Sequence, residues 1–345
     1  MIHTIQIEEF LALAPEIPVA DVRTPAEFDQ GHIPQAHNLP IFTNEERVQV
    51  GTTYKQIGRE EAILLGFEFT GPKWGTFIKQ ALVFAPEKKI ALHCWRGGMR
   101  SGSMAWALTL YGFEVYLLNG GYKSYRRWAI EQFSQAFNLL ILGGMTGSGK
   151  TQILHAIKNS GEQMIDLEDL AQHQGSSYGS MGTLIQPSQE QFENNLAYQL
   201  SKIDINKPLW LEDESRTVGK CSIPNPLWDQ MRNAPVIKLN IPIEERIRFL
   251  TQEYGKLNPN FLIECTQRIG KRLGPEQTRD AVLAIKENRM SDFIRLVLVY
   301  YDKTYTTGQS MRKASQVYDV SGLVAADAAN VAHILEKAKN IHYIQ

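Results

Sequence analysis

Residues 139–151 have the sequence LLILGGMTGSGKT. The first four residues are apolar and predict a buried strand, and a helix is predicted from about Lys150 to Lys158. Between them lies the pattern Gly-x4-Gly-Lys-Thr, whose glycines let backbone N–H groups turn inward onto phosphate oxygens. We therefore expect a phosphate-binding loop at the start of an α/β domain, formed by Gly144, Thr146, Gly147, Ser148, Gly149, Lys150 and Thr151.

An acidic element is expected to complete this loop. Residues 208–214 have the sequence PLWLEDE, an apolar strand that ends in acids. Lys150 should reach the terminal phosphate of the ligand and Thr151 a magnesium ion, and we expect Asp213, next to Glu212, to contact the same ion. The alternative is that these acids cap an exposed strand end. ATP and a diphosphate ester would satisfy the same donors, so the pattern predicts a phosphate ligand without choosing between them.

A second anion-binding loop is predicted at residues 93–101, which have the sequence HCWRGGMRS. Cys94 follows an apolar strand and precedes two glycines and a helix, so backbone N–H groups and a helix N-terminus converge near its thiol. Such a field favours the nucleophilic thiolate. We predict a catalytic group of Cys94, Arg96 and Arg100, in which the arginines add positive charge. The alternative is a cysteine that only packs in the core.

The order of the elements predicts an α/β protein with two parallel-sheet domains and a helical end. We place the first domain at residues 1–134, the core of the second at 135–240, and a mainly helical C-terminal region, packed on the second domain, at 241–345. The predicted elements of that last region are helices at 243–254, 261–273, 275–288 and 290–303, a strand near Val317, and a helix from about Ala325 to Lys339.

Composition excludes several classes of protein. The chain is 43% hydrophobic and 21% charged, as in globular domains. No apolar stretch approaches the roughly 20 residues that span a bilayer, and no secretory leader is visible, so we expect no membrane contact and a cytoplasmic location. Three scattered cysteines predict a reducing compartment. A net charge of −1 argues against a globally basic nucleic-acid binder, although the region 241–345 carries +3.

The first domain resembles a rhodanese over roughly the first 130 residues. The resemblance lies in the order and spacing of Asp21-Val22-Arg23, Glu27-Phe28, Gly31-His32-Ile33-Pro34-Gln35-Ala36, the Cys94 loop and Leu118-Asn119-Gly120-Gly121. It implies that Cys94 carries sulfur or selenium as a persulfide-type adduct. The loop to Arg100 is one residue longer than in the usual sulfurtransferase, and the wider loop should admit a tetrahedral oxyanion such as a phosphate.

Further blocks extend the resemblance to nearly the full chain. Together with the two loops, they make it similar to the tRNA 2-selenouridine synthases. Tyr178 stands where we expect phenylalanine in that family. The blocks are Leu170-Ala171-x-His173-x-Gly175-Ser176-x-Tyr178-Gly179, Gln186-Pro187-Ser188-Gln189-x-x-Phe192-Glu193 and Glu212-Asp213-Glu214-Ser215-Arg216-x-x-Gly219.

This resemblance implies a transferase that replaces the sulfur of 2-thiouridine at the tRNA wobble position by selenium, with selenophosphate as donor. It also implies a preceding S-geranylation with geranyl diphosphate, which turns the sulfur into a better leaving group. Cys94 would handle the selenium step, and the phosphate loop would hold the diphosphate or a nucleotide, with magnesium as a further candidate. The implied partners are tRNA and an enzyme that supplies selenophosphate.

Two clusters of basic side chains are candidates for RNA contact, each on one predicted helix. The alternative for both is a solvated helix face. His173 is a candidate acid or base on the substrate side, with an ordinary loop histidine as the alternative. The clusters are Lys123, Arg126 and Arg127, and Arg268, Lys271 and Arg272.

Two rival functions stay open at the level of sequence. The pattern His93-Cys94-x5-Arg100-Ser101 also meets the signature of cysteine phosphatases, so a phosphatase or sulfurtransferase with a nucleotide-binding regulatory domain is one of them. The other is a nucleotide-switched binding module with an inert first domain. The presence of Cys94 within a complete anion loop argues against inertness.

Overall fold

The computed structural model describes residues 1–174, 177–180, 183–310, 312, 316–321, 324, 327 and 329–341. The chain forms two compact units. The first comprises Met1–Gln132 together with Glu193–Tyr198, and the second comprises Phe133–Phe192 and Gln199–Gln345. The sequence pattern placed residues 193–198 in the second domain and gave no sign that they would join the first.

The first unit is built on a five-stranded sheet in which all neighbouring strands are parallel. The strands lie in the order β1-β5-β4-β2-β3, with β1 Ile2–Ile5, β2 Val19–Asp21, β3 His37–Asn38, β4 Lys89–His93 and β5 Glu114–Leu118. Because the strands are parallel, their carboxyl ends meet at one edge of the sheet. The helices are α1 Ile7–Leu13, α2 Pro25–Gln30, α3 Asn44–Gln56, α4 Arg59–Thr70, α5 Trp74–Phe84, α6 Met99–Leu110 and α7 Gly121–Gln132.

Reciprocal hydrogen bonds between a threonine and a glutamate cap the N-termini of two of these helices. At α2 the Thr24 hydroxyl accepts from the Glu27 N–H, and the Glu27 carboxylate accepts from the Thr24 N–H. Thr43 and Glu46 form the same reciprocal pair at α3. These bonds satisfy N–H groups that have no partner in a first helical turn. The first of them also positions Glu27 at the edge of the sheet where the Cys94 loop lies.

The second unit contains another five-stranded parallel sheet. Its order is β12-β11-β6-β8-β7, with β6 Leu139–Gly144, β7 Gln163–Met164, β8 Leu209–Glu212, β11 Val236–Asn240 and β12 Val317–Ser321. A two-stranded antiparallel hairpin is formed by β9 Thr217–Val218 and β10 Cys221–Ser222. The helices up to β11 are α8 Lys150–Asn159, α9 Leu167–Ala171, α10 Gln189–Leu200 and α11 Asn225–Asn233.

The predicted helical C-terminal region is present. Its helices α12 to α15 pack around a shared core that includes Ile247, Leu262, Ile285 and Phe293. The last predicted helix begins later than expected, at Asn330, and Ala325 lies outside the described residues. Within the described part of the chain, none of the helices is both long and apolar enough to cross a bilayer. The helices are α12 Ile243–Tyr254, α13 Pro259–Leu273, α14 Pro275–Lys286, α15 Met290–Ser310 and α16 Asn330–Lys339.

Candidate active sites

Cys94 lies where β4 ends, at the carboxyl edge of the first sheet. The residue is 3% exposed. The N–H of Tyr122 donates to the Cys94 carbonyl at 2.8 Å, and the N–H of Lys123 donates to the Trp95 carbonyl at 3.0 Å. The loop is therefore fixed by β4 on one side and by the start of α7 on the other.

Glycines let these two backbones approach each other. Gly97 and Gly121 have φ angles of 66° and 59°, a region that strongly favours glycine. A Cβ at Gly121 would lie 2.4 Å from the Cys94 carbonyl oxygen, and one at Gly97 would lie 2.8 Å from the Leu118 carbonyl oxygen. The glycines that carry the rhodanese resemblance thus have a physical role, since they permit direct contact between two backbone segments.

The surroundings of the Cys94 thiol favour its charged form. The Ser101 hydroxyl lies 3.1 Å from the sulfur, and the backbone N–H groups of Ser101 and Arg96 also donate to it. Burial alone would raise the pKa of the Cys94 thiol, but these bonds and the charge of Arg100 lower it below the usual 9.0. Cys94 is therefore a buried thiol that ionises more readily than an isolated one.

The two arginines predicted beside Cys94 have different surroundings. Arg100 makes two hydrogen bonds to the Glu27 carboxylate, at 2.7 and 3.3 Å. The Arg96 side chain is exposed, and only its backbone N–H faces the sulfur. Of the two predicted arginines, Arg100 contributes its charge at Cys94 and Arg96 contributes its backbone N–H, and the structure adds Ser101 and Glu27 to the group. Glu27 was not predicted as a site residue because it lies 73 positions from Arg100.

A buried charged group lies beneath the Cys94 loop. Asp21 and Arg23 form an ion pair at 2.6 Å, and the Arg23 guanidinium lies 3.7 Å from the centre of the Tyr122 ring. The His93 ring is 3.7 Å from Asp21, and neither of its nitrogens has a hydrogen-bond partner among the described residues. Burial lowers the pKa of His93 to about 4. The imidazole is therefore neutral near pH 7.

We expect His93 to make the folded chain less stable as the pH falls from 6.5 to about 4. The unfolded chain binds a proton at this histidine below its usual pKa of 6.5, whereas the folded chain resists protonation down to about pH 4, so acid favours unfolding. The difference between a pKa of 6.5 and one of about 4 corresponds to about 3 kcal/mol in the free energy of unfolding. Denaturant unfolding should show the loss in the natural chain and a smaller loss in His93→Asn. His333→Asn, at an exposed position of α16, is the control, and an unaltered pH dependence in His93→Asn would contradict the prediction.

The phosphate loop joins β6 to α8, as predicted, and helices of the C-terminal region brace it. Gly147 has a φ of 84°, and a Cβ there would lie 2.8 Å from the Leu250 side chain. Arg246 donates to the Thr146 carbonyl at 3.1 Å and forms a two-fold ion pair with Asp302, both contacts at 2.8 Å. These contacts fix the loop backbone from α12 and α15.

Lys150 and Thr151 both contact the acid at the end of β8. The Lys150 ammonium donates to the Gly144 carbonyl at 3.1 Å and lies 3.2 Å from Glu212. The Thr151 hydroxyl lies 3.1 Å from Glu212 and 3.2 Å from Glu168. Burial alone would lower the pKa of Lys150, but Glu212 raises it above its usual value. Lys150 therefore stays charged at the bottom of the loop.

Asp213 was predicted to be the acid beside Thr151, and the structure brings Glu212 there instead. The Asp213 carboxylate forms an ion pair with Arg312 at 2.6 Å. Side chains alternate along an extended chain, so Glu212 and Glu214 share one side and Asp213 faces the other. The acid of this strand end that contacts Thr151 is therefore Glu212, and Asp213 is paired with Arg312.

Three carboxylates form a cluster beside Thr151. Glu168, Glu212 and Glu214 each have a ligand oxygen within 4.8 Å of the others. Burial, together with repulsion from Glu212, raises the pKa of Glu168 and of Glu214. Carboxylate and hydroxyl oxygens are the donors that Mg²⁺ prefers, and a cation would relieve this repulsion. The donor set thus fits a divalent cation.

A cavity of about 1290 Å³ opens over the phosphate loop. Apolar and aromatic side chains form part of its wall, among them Trp228, Phe249, Tyr254 and Ile269. His173 also lines it, and burial, followed by the charge of Arg268, lowers the pKa of this histidine. The predicted basic cluster of Arg268, Lys271 and Arg272 lines the same cavity. The structure thus brings the C-terminal basic cluster to the phosphate loop.

The other predicted basic cluster is divided. Arg126 forms an ion pair with Glu193 and donates to the Asn194 side chain at 2.6 Å. Lys123 and Arg127, one helical turn apart, are exposed on α7. Arg126 therefore contacts the segment 193–198 within the first unit, whereas Lys123 and Arg127 face solvent.

Comparison with known proteins gives matches across the chain. A family described as a rhodanese-like domain matches residues 7–127, and one described as the tRNA 2-selenouridine synthase AAA domain matches 137–282. A tRNA 2-selenouridine synthase of Nitrosomonas europaea is 40% identical over 286 residues, which cover 79% of this chain and 71% of the relative. One from Hydrogenovibrio crunogenus is 34% identical over 346 residues, covering 89% and 92%. This chain belongs to the tRNA 2-selenouridine synthase family.

The family assignment confirms the predicted resemblance and the predicted α/β class. The rhodanese-like match contains the Cys94 loop, and the second match contains the phosphate loop, the carboxylate cluster and α13. A synthase of Sulfurovum sp. is similar over 87% of this chain at 36% identity. Tyr178, where the family pattern suggested phenylalanine, is fully buried, and its hydroxyl lies 2.9 Å from the Thr266 hydroxyl. The additional polar group is therefore satisfied inside the core.

Proposed function

We propose that this chain replaces the sulfur of 2-thiouridine at the tRNA wobble position by selenium. Selenophosphate is the proposed donor, supplied by a partner enzyme, and an S-geranylated nucleoside made from geranyl diphosphate is the proposed intermediate. The observation that supports this most is the presence of two different anion sites in one chain, a thiolate-favouring loop at Cys94 and a phosphate loop under an aromatic-walled cavity at Lys150. Each site suits one of two successive group transfers.

The cavity over the phosphate loop supports the geranyl transfer. In that step the base sulfur attacks C1 of the geranyl group, a C–S bond forms, the C–O bond to the diphosphate breaks, and the N3 proton of the base is lost. Lys150 and the loop N–H groups would bind the leaving diphosphate, because fixed donors stabilise charge that develops in the transition state. The side chains of Trp228, Phe249 and Ile269 offer an apolar surface to the geranyl chain.

The carboxylate cluster would serve the same step by binding a divalent cation. Glu168, Glu212 and Glu214 would hold it together with Thr151. A cation there would add positive charge next to the diphosphate. Thr151 already contacts two of these carboxylates, so the hydroxyl is oriented towards the cluster. The proposed ligand set therefore contains Glu168, Glu212 and Glu214 in place of Asp213, which is paired with Arg312.

The Cys94 loop supports the selenium transfer. The selenium of selenophosphate attacks C2 of the geranylated base and expels geranyl thiolate. The Cys94 thiolate then attacks phosphorus, so that a P–S bond forms and the P–Se bond breaks. The released base takes up a proton at N3 to give 2-selenouridine, and water releases inorganic phosphate from the cysteine. We favour attack at phosphorus over a persulfide-type adduct, because removal of neutral selenium from selenophosphate would leave phosphite instead of phosphate.

A cysteine-dependent phosphatase is the second candidate. The Cys94-x5-Arg100-Ser101 spacing and the bond from Ser101 to the sulfur favour it. The selenium step proposed for Cys94 is also an attack at phosphorus, so the two candidates differ in their substrate, and the family assignment favours a modified tRNA over a phosphate monoester. We therefore expect no turnover of a simple aryl phosphate.

Order-of-addition experiments with 2-thiouridine-containing tRNA test the proposed function. Geranyl diphosphate alone should yield the S-geranylated nucleoside, and subsequent selenophosphate should convert it to 2-selenouridine, both detected by mass spectrometry of the digested RNA. Omission of geranyl diphosphate should leave 2-thiouridine unchanged. If the folded chain converts no tRNA with both reagents present, the proposal is wrong, and hydrolysis of the aryl phosphate becomes the decisive measurement.

A further inference from the structure

Three basic side chains share one face of helix α13. Arg268 is followed by Lys271 and Arg272 at spacings of three and four, which places them on neighbouring turns of the same face. All three residues are exposed and line the cavity over the phosphate loop. We call Arg268, Lys271 and Arg272 the basic rim.

Tyrosines of α15 connect the basic rim with the phosphate loop. Arg272 donates to the Tyr300 hydroxyl at 3.2 Å, and the Tyr301 ring lies 5.1 Å from that of Tyr300. At the other end, a Cβ at Gly143 would lie 2.9 Å from the Tyr305 hydroxyl. The step from Tyr300 to Tyr305 is about 8 Å along the helix axis. A short aromatic wall therefore separates the basic rim from the phosphate loop.

Charged side chains of both signs line this cavity. The basic rim contributes three cations, whereas Glu168, Glu212 and Glu214 surround Lys150 at the floor. Phosphodiester groups are attracted by the three cations of the basic rim. At the floor, Lys150 and the cation proposed for the carboxylate cluster would serve the compact diphosphate, so the rim is the part of the cavity left for a longer polyanionic strand.

We propose that the basic rim binds the backbone phosphates of the tRNA anticodon loop, and that the wobble base extends along Tyr300 and Tyr301 towards the phosphate loop. Single-stranded RNA loops are recognised by phosphate contacts together with stacking of unstacked bases on aromatic rings. The basic rim and the two tyrosines offer this combination in one cavity. The inference rests on the proposed function, because it assumes that the base brings its sulfur to a diphosphate bound at Lys150.

Binding measurements with a 2-thiouridine-containing anticodon stem-loop test the inference. The variant Arg268→Ala/Lys271→Ala is compared with Arg279→Ala/Lys286→Ala, which removes the same charge from the neighbouring helix α14, outside the phosphate-loop cavity. Fluorescence anisotropy over a range of salt concentrations gives log K against log salt. Loss of two single-strand phosphate contacts should reduce the magnitude of that slope by about 1.4. The α14 variant should keep the natural slope.

The binding measurements can either overturn or support the inference. A rim variant that binds with the natural slope and affinity overturns the inference, as does a natural chain that binds no stem-loop at all. Selective loss of binding in the rim variant, with an unchanged melting temperature, supports it. If the double variant has a lower melting temperature, Arg268→Gln and Lys271→Gln are measured singly. Each is then expected to reduce the slope by half of that amount, and an unchanged slope in both overturns the inference. Binding is measured without turnover, so selective loss of binding without any 2-selenouridine would support the basic rim and contradict the proposed function.

Discussion

Replacement of Cys94 by alanine is expected to abolish 2-selenouridine formation and to let the Se-phosphorylated nucleoside accumulate, in which selenium has already displaced geranyl thiolate but the P–Se bond is intact. The variant lacks the nucleophile that cleaves the P–Se bond, and loss of such a group costs about 10³-fold or more in rate. The other two cysteines cannot substitute, since burial raises the pKa of Cys221 and Cys265. Arg268 donates to the Cys265 sulfur at 2.9 Å, but burial outweighs this bond, whereas the bonds to Cys94 bring its pKa below the usual value.

The measurement isolates the selenium step. tRNA that already carries the S-geranylated base is mixed with selenophosphate and each variant, and 2-selenouridine is quantified over time. Cys221→Ala is the matched control, because it removes a buried thiol from the second unit. It should retain the natural rate. Formation of 2-selenouridine by Cys94→Ala at a rate near that of Cys221→Ala would remove Cys94 from the mechanism.

Both loops could be predicted from sequence because each depends on local chemistry. A strand, a glycine-rich turn and a helix specify backbone geometry over fewer than ten residues, with the thiol before the glycines in one loop and the lysine after them in the other. Gly121 and Gly147 are required by the close contacts that they make.

The acidic element was predicted at Asp213 and Glu212 with the magnesium contact at Asp213. The structure brings Glu212 to Thr151 and pairs Asp213 with Arg312. The alternation of an extended chain favours Glu212 and Glu214 together over Asp213, so this signal was present in the sequence.

Other parts of the sites depend on contacts between distant segments, which a single sequence does not specify. Glu168 reaches Thr151 from α9, and Glu27 reaches Arg100 from α2. Gln186, which belongs to one of the sequence blocks that carry the family resemblance, also contacts residues that are distant in sequence. Its side chain donates to the carbonyls of Ala171 and Val218 and accepts from the Lys220 N–H. Its role in bracing the β9–β10 hairpin becomes visible only when these segments are folded together.

Replacement of Lys150 by methionine is expected to abolish the geranyl transfer and to leave the selenium transfer intact. Methionine keeps an unbranched chain but removes the charge that would face the diphosphate. Loss of one such electrostatic contact typically costs about 10²- to 10³-fold in rate. Lys158→Met, at the exposed end of the same helix, is the matched control. Geranyl transfer is followed with geranyl diphosphate alone, and a natural rate in Lys150→Met would exclude Lys150 from that step.

A mixture of Cys94→Ala and Lys150→Met extends this prediction. The residues described at the Cys94 loop, such as Glu27, Arg100 and Ser101, belong to the first unit, and those at the phosphate loop belong to the second. Each variant therefore keeps one complete site. The mixture should form 2-selenouridine from 2-thiouridine tRNA, although neither variant does so alone, because geranylated tRNA made by Cys94→Ala can be used by Lys150→Met. Absence of product, with each single step verified, would show that the two sites must act within one chain on an RNA that is not released.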